Sequence, residues 1–305
     1  MVKKCIAYMT MYFNPIFLLY INSIMKKLPV LFLLVFLLCP FAVESRDADS
    51  DSLFFLNHAE EFEAYRGLPM GELVVRCASF FLAKPYTAST LEKGDEEELV
   101  VNLNEFDCTT LVETAVALAG TIKSGECSLP LFRYILQFIR YRDGAIDGYS
   151  SRLHYVTDWI DNNVKAEVIT NMTDSLGGIK IAKSLDFMTT HTDSYKQLMN
   201  REEMVDKMRE IESEINERGT YSYIPKKDIS RIVGKIKDGD IIAFATSIDG
   251  LDYSHMGIAF HDGGRLTFIH ASTRTKTVTV EKQTLIDYCM KSTRCTGISV
   301  LRVRE

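Results

Sequence analysis

Residues 104–119, NEFDCTTLVETAVALA, put a thiol in the first turn of an amphipathic helix. From Cys108 the apolar positions recur at Leu111, Val112, Ala115, Leu118, Ala119 and Ile122. That is one face of a helix, so the sulfur is expected on the side that packs. Asp107 is a natural N-cap, its carboxylate accepting backbone N–H groups. The unpaired N–H groups of the first turn and the helix dipole favour a thiolate, while the charge of Asp107 opposes it. Glu113 lies too far along for a capping box, and none is expected. Alone, the pattern also suits a buried core cysteine.

Two histidines supply what a nucleophilic thiol would need. Residues 254–272, SHMGIAFHDGGRLTFIHAS, read as a hairpin with a tight Asp/Gly turn. If Asp262-Gly263 turns, His255 falls directly opposite His270; if Gly263-Gly264 turns, the two are diagonal. Both registers leave them on one face. The small residues Gly257 and Ala259 on that face are expected to let the thiol-bearing helix approach. Nucleophile, base and orienting group would then meet: Cys108 attacks a carbonyl, His255 takes the thiol proton, and His270 holds the ring of His255. The oxyanion would be held by the Cys108 backbone N–H. His261 could complete a metal trio, but no HExxH motif or carboxylate at ligand spacing accompanies it, so no metal and no cofactor is expected. His58, His154 and His191 carry no local motif.

Around these residues the chain alternates in character. Residues 71–86 read as a helix closed by Pro85, 129–142 as an amphipathic helix, and 195–217 as a long charged helix striped by Met204, Met208, Ile211 and Ile215. Residues 141–160 read as an ordered loop entering a helix. Beyond Pro225 come short β-rich runs at 238–246, 254–261, 265–272, 275–281 and 297–304. Helices first and strands afterwards predict an α+β fold with helices packed on one antiparallel sheet.

Of 305 residues 47% are hydrophobic, ample for a packed core, and the net charge of −6 without a Lys/Arg block excludes an electrostatic basis for nucleic-acid binding. The acidic run 92–98 reads as a solvated loop. From Met25, MKKLPVLFLLVFLLCPFAVES has the layout of a secretory signal, with Val43 and Ser45 suited to cleavage. Residues 1–45 are therefore expected to be a leader, with Met25 an alternative start, and residues 46–305 a single catalytic domain with an insertion at about 125–230. An uncleaved anchor is the rival reading. Processing would leave an exported, periplasmic chain with no stable membrane span and five cysteines, Cys77, Cys108, Cys127, Cys289 and Cys295. An odd number leaves at least one thiol unpaired, and a Cys289–Cys295 disulfide stays open.

The segments KPYTAST…NEFDCTTLVE and DGDIIAFAT…SHMGIAFHDGGRLTFIHAS resemble the NlpC/p60 cysteine peptidases of bacterial cell walls, which have a papain-like core. Cys108, His255 and His270 match the family's D-C-S/T helix start, H-x-G strand and third polar residue. Tyr86 matches a tyrosine bordering the active site, and Asp107 the residue before the nucleophile. The separation of Cys108 from His255 exceeds the family's usual spacing, which implies a large helical insertion between the nucleophile helix and the sheet. That insertion, with NLNEFDCTTLVE and SRLHY, resembles a branch similar to N-acetylmuramoyl-L-alanine amidases, acting on peptidoglycan-derived muropeptides. Arg152 and Tyr155 are the residues expected to grip an anionic or sugar-bearing substrate. The alternatives are a γ-D-glutamyl–diamino-acid endopeptidase, a non-catalytic cell-wall-binding module, or an acyltransferase on a related core.

Overall fold

The computed structural model describes residues 50–92, 94–219 and 221–305. The leader, Met25, Cys5 and Cys39 lie outside them. Two short helices, α1 (Ser50–Asn57) and α2 (Ala59–Tyr65), precede α3 (Met70–Ser79) and the central helix α4 (Cys108–Ser124). The sequence gives no strong periodicity at 50–65; an aromatic cluster holds it in place, with Phe54 stacked on Phe81 and Phe62 edge-on to Phe80. The helix expected over 71–86 ends at Ser79, where a turn brings Ala83 to a positive φ before Pro85.

Helix α4 is buried along nearly all of its length, Thr110 to Ala119 included. A helix apolar or uncharged on all sides belongs inside a protein, and α4 packs between α3, α5 (Leu129–Arg140) and the sheet. Its buried charge is Glu113, whose Oε2 accepts a 2.7 Å bond from Arg140 Nε, both side chains almost fully buried. Gly125, at φ 86, ends α4 in the left-handed conformation that a β-carbon disfavours.

Two 3-10 turns lead to α6 (Val156–Lys165), then β1 (Ile169–Asn171), β2 (Ile179–Ile181), α7 (Phe187–Thr190), α8 (Glu202–Arg218) and β3 (Tyr221–Pro225). This region has its own apolar cluster, including Tyr149, Tyr155, Leu185, Met188, Leu198 and Met208. It also donates three short strands to the sheet, which runs of three to five residues could not announce in advance.

The remaining strands are β4 (Ile241–Thr246), β5 (Tyr253–Asp262), β6 (Arg265–Ser272), β7 (Thr277–Val280) and β8 (Cys295–Val303), with α9 (Leu285–Lys291) between the last two. The order is β2-β3-β8-β4-β5-β6-β7, with β1 also on β8, and every pairing is antiparallel. The expected α+β architecture, helices on an antiparallel sheet, is the one observed. Met256, Ile258, Ile269 and Ala271 join the cluster around α4, while Ala259, Phe244, Phe268 and Leu285 form a second core on the opposite face. Among the described residues no helix is long and apolar enough to cross a membrane.

Candidate active site

The β5–β6 hairpin decides where the histidines go. Asp262 pairs with Arg265, so Gly263-Gly264 is the turn, at φ 58 and 81. Two successive positive φ values are what a type I′ turn demands, and only glycine meets them at no steric cost. The second of the two expected registers follows. His270 stands across from Gly257, whose missing β-carbon leaves room for Phe268 and for the His270 side chain. His255 is then its diagonal neighbour on the same face, and His255 Nε2 lies 2.7 Å from His270 Nδ1. The β4–β5 register shifts between Phe244 and Ala245, which leaves Ser254 as an extra residue just before His255. Bulges of this kind re-aim side chains beside functional sites.

Both rings pack among aromatic groups. Phe244 and Phe268 lie 5.4 and 4.7 Å, centroid to centroid, from His255 and His270 respectively. Tyr288 of α9 covers the pair at 6.3 and 6.0 Å. Burial in this apolar shell disfavours the charged imidazoles. It pulls His255 down to about 4, partly opposed by Glu281, and His270 down to about 3, aided by His255 and Arg274.

Asp107 caps α4 as expected: its Oδ1 accepts from Thr110 N at 2.8 Å. A capping box is present after all. Its third-position partner is Thr110, whose Oγ1 accepts from Asp107 N at 3.0 Å, so the rule that looks only for Glu or Gln misses it. Cys108 opens the helix. Its sulfur faces the peptide N–H of Met256, the residue after His255, and the Thr109 hydroxyl. Burial, and then the charge of Asp107, push the thiol up to about 11 against the pull of these donors.

One sequence-based expectation is corrected here. Helix α4 does not cross the His255 face over Gly257 and Ala259. It packs on the opposite face, against Met256 and Ile258, and the sulfur meets β5 at its backbone. The space above Gly257 is taken by Phe268 and His270.

The other expected residues separate. Tyr86, bridged to Phe106, is close enough for Cys108 and Asp107 to raise its hydroxyl, after burial. Arg152 lines a cavity of about 220 Å³ with Asp107, Thr109, Glu92, His154 and Tyr195. Its guanidinium is buried and already paired, 2.5 Å from Glu92 and 3.4 Å from Glu97, and lies over the Tyr149 ring at 4.9 Å. Tyr155 is not brought to the cleft. It is buried beside α7 and α8, donating to Glu212 at 2.6 Å and accepting from Met188 N at 3.0 Å. His261 turns to Asp238 at 2.5 Å, and among the described residues no three metal-ligating side chains gather at one point. Cys289 and Cys295 are free thiols that hydrogen-bond to one another.

Two residues escaped the sequence reading. His154 lines the cavity next to Asp107, its Nε2 donating to the Tyr149 carbonyl at 2.8 Å, and burial holds it well below the usual imidazole range. Glu281 is buried behind His270, 3.6 Å from its Nε2. Alternation along TVTVE would have found it: Thr279 pairs with His270, and Glu281 shares the face of Thr279.

A family model described as AmiA-like, N-acetylmuramoyl-L-alanine amidase-like, matches residues 76–298. The chain belongs to this family. A crystal structure of a N-acetylmuramoyl-L-alanine amidase from Bacteroides uniformis is similar at 41% identity and a TM-score of 0.74, with 77% of this chain and 99% of that one covered. A Bacteroides fragilis structure named as a candidate xylanase is 41% identical, covering 75% and 99% with a TM-score of 0.72. A Legionella pneumophila protein, LPG0564, shares the fold at 21% identity, 83% and 97% coverage and a TM-score of 0.62. No curated protein matches. The family match takes in Cys108 and strands β4–β7 and ends inside β8, so this AmiA-like member carries its candidate site inside the matched region.

Proposed function

We propose that this chain is an exported cysteine amidase, built on an NlpC/p60-type papain-like core, that hydrolyses the N-acetylmuramoyl–L-alanine bond of peptidoglycan fragments. The observation that carries the reading is the 2.7 Å contact between His255 and His270 beside a helix-start thiol whose sulfur reaches the next residue of the same strand. A thiol, a base and an orienting ring are what covalent amide hydrolysis needs.

Cys108 attacks the lactyl carbonyl as His255 Nδ1 takes its proton, Nε2 being engaged by His270. The tetrahedral oxygen is held by the Cys108 N–H, one of the first-turn groups that a helix leaves without an internal partner. The imidazolium then protonates the departing alanine nitrogen, leaving a thioester that water, deprotonated by the same ring, hydrolyses. Tyr86 borders this centre and the Arg152 cavity adjoins it. Because Arg152 is neutralised by Glu92 and Glu97, the cavity suits a neutral polar group better than an anion. Tyr155 acts at one remove, by holding the insertion that forms the cavity wall. A glycosidase role, which the Bacteroides fragilis name would suggest, needs two available carboxylates; Asp107 is used as a cap and Glu113 is bound to Arg140.

The test is mass spectrometry of products from a disaccharide-peptide. Release of the intact stem peptide from the sugar is the expected result, abolished by Cys108→Ala with the fold kept and untouched by chelators. Release of a dipeptide would make it an endopeptidase. Binding without turnover would make it a cell-wall-binding module.

A further inference from the structure

Beyond the histidine pair, on the side away from the sulfur, stands a carboxylate with no exit to solvent. His270 Nε2 is buried, has no hydrogen-bond partner, and lies 3.6 Å from Glu281 Oε2. The two side chains are 2% and 1% exposed. Glu281 is held in turn by Arg274, 3.0 Å from each of its oxygens, and by the Gln283 N–H at 3.0 Å.

We propose that Glu281 is a positioning residue: it fixes the tautomers of both histidines so that His255 presents a bare Nδ1, and its charge favours the protonated ring that forms during attack. An imidazole nitrogen facing a carboxylate carries the proton. His270 is therefore protonated on Nε2, and its Nδ1 is an acceptor. In the 2.7 Å contact the proton then belongs to His255 Nε2. The Nδ1 left over holds a lone pair, the only state in which it can accept a thiol proton. The reverse tautomer would turn an N–H outward and block that step. Three strands build this chain of groups by one rule. His270 is the diagonal neighbour of His255 across β5–β6, and Glu281 is the diagonal neighbour of His270 across β6–β7.

Among the described residues, Glu281 is the charge that acts on His255. Tyr288 covers the rings from α9, and Arg274 approaches from the β6–β7 turn, 64% exposed. Glu281 raises His255, and Arg274 lowers His270.

The proposal rests on the pairing of Cys108 with His255, not on which bond is cut, and its first readout uses no substrate. Nitrogen NMR of the imidazole rings near neutral pH is expected to show both histidines protonated on Nε2 alone, and Glu281→Gln, whose amide can donate or accept, to mix the tautomers. His255 protonated on Nδ1 in the wild type, or unchanged tautomers in the variant, overturns the proposal even if every muropeptide assay succeeds. The second readout compares Glu281→Gln with Arg274→Gln, which break the same ion pair. The first should lose about tenfold in kcat with KM unchanged, corresponding to about one unit of imidazole pKa; the second should keep or raise kcat. A purely structural ion pair would make both fall together, and that result also overturns it. Should Glu281→Gln fail to fold, the wild-type tautomer and the direction of the Arg274→Gln change decide.

Discussion

Asp107 does two opposed things to Cys108, and substitution can separate them. As an N-cap it accepts from Thr110 N at 2.8 Å and orders the first turn. As a charge it raises the thiol, after burial the largest cause. Asn caps a helix as well as Asp, whereas Ala forfeits about 1 kcal/mol. For a domain of this size that is a loss of about 2–4 °C in Tm. Unit charges about 6 Å apart at an effective dielectric of about 20 interact by about 3 kcal/mol, so removing Asp107 lowers the thiol by about one to two pH units. Each unit multiplies the thiolate fraction about tenfold at neutral pH, while the weaker nucleophile returns about a factor of three of that gain. Asp107→Asn should therefore exchange with a small disulfide about three- to tenfold faster at an unchanged Tm. Asp107→Ala should be faster as well but melt lower. The assay uses a Cys127→Ser background, since Cys127 is the other part-exposed thiol among the described cysteines, with Cys108→Ala as the blank. Slower or unchanged exchange in Asp107→Asn would show that the carboxylate does not act on the sulfur through its charge.

The Arg140–Glu113 pair anchors α4 against α5 with side chains 2% and 3% exposed. Arg140→Ala should cost about 3–5 kcal/mol by urea unfolding, because Glu113 would be left buried and unpaired, while Arg140→Met with Glu113→Leu should recover most of it. The histidines set an acid limit. Both are held neutral by burial, so between the unfolded value near 6.5 and the folded values of about 4 and about 3 the unfolded chain binds more protons. Stability is thus full above about pH 6.5 and falls as pH drops toward 4, a slope in Tm that His270→Gln should reduce.

The site was legible where the pattern was short-range and periodic. Either of the two tight turns considered puts His255 and His270 on one face without any knowledge of the rest, and the cap before Cys108 was written in a single residue. What escaped depended on long-range packing. The side of the sheet taken by α4 was not fixed by Gly257 and Ala259, because the same small residues could admit either a helix or the His270 ring, and the ring was nearer. Tyr155 looked available next to Arg152 because an aromatic in a polar stretch says nothing about depth; Glu212, far along α8, is what claims its hydroxyl. Strands β1–β3 were missed because three to five residues show no usable alternation.

The burial that orients the two rings also determines when the proton moves. With the thiol near 11 and His255 near 4, a preformed thiolate–imidazolium pair would lie roughly 9 kcal/mol above the neutral pair before the two charges attract. Were the two charges brought within about 4 Å during attack, at an effective dielectric of about 20 their attraction would return about 4 kcal/mol. In the proposed mechanism the thiol and the imidazole therefore both start neutral, and proton transfer accompanies attack on the carbonyl. Two consequences follow for the proposed amidase. The sulfur is expected to react slowly with adventitious oxidants, because the thiolate is the reactive form. And whatever stabilises the imidazolium late in the step, Glu281 above all, affects kcat and leaves substrate binding alone, which is the split the Glu281 and Arg274 variants are built to read.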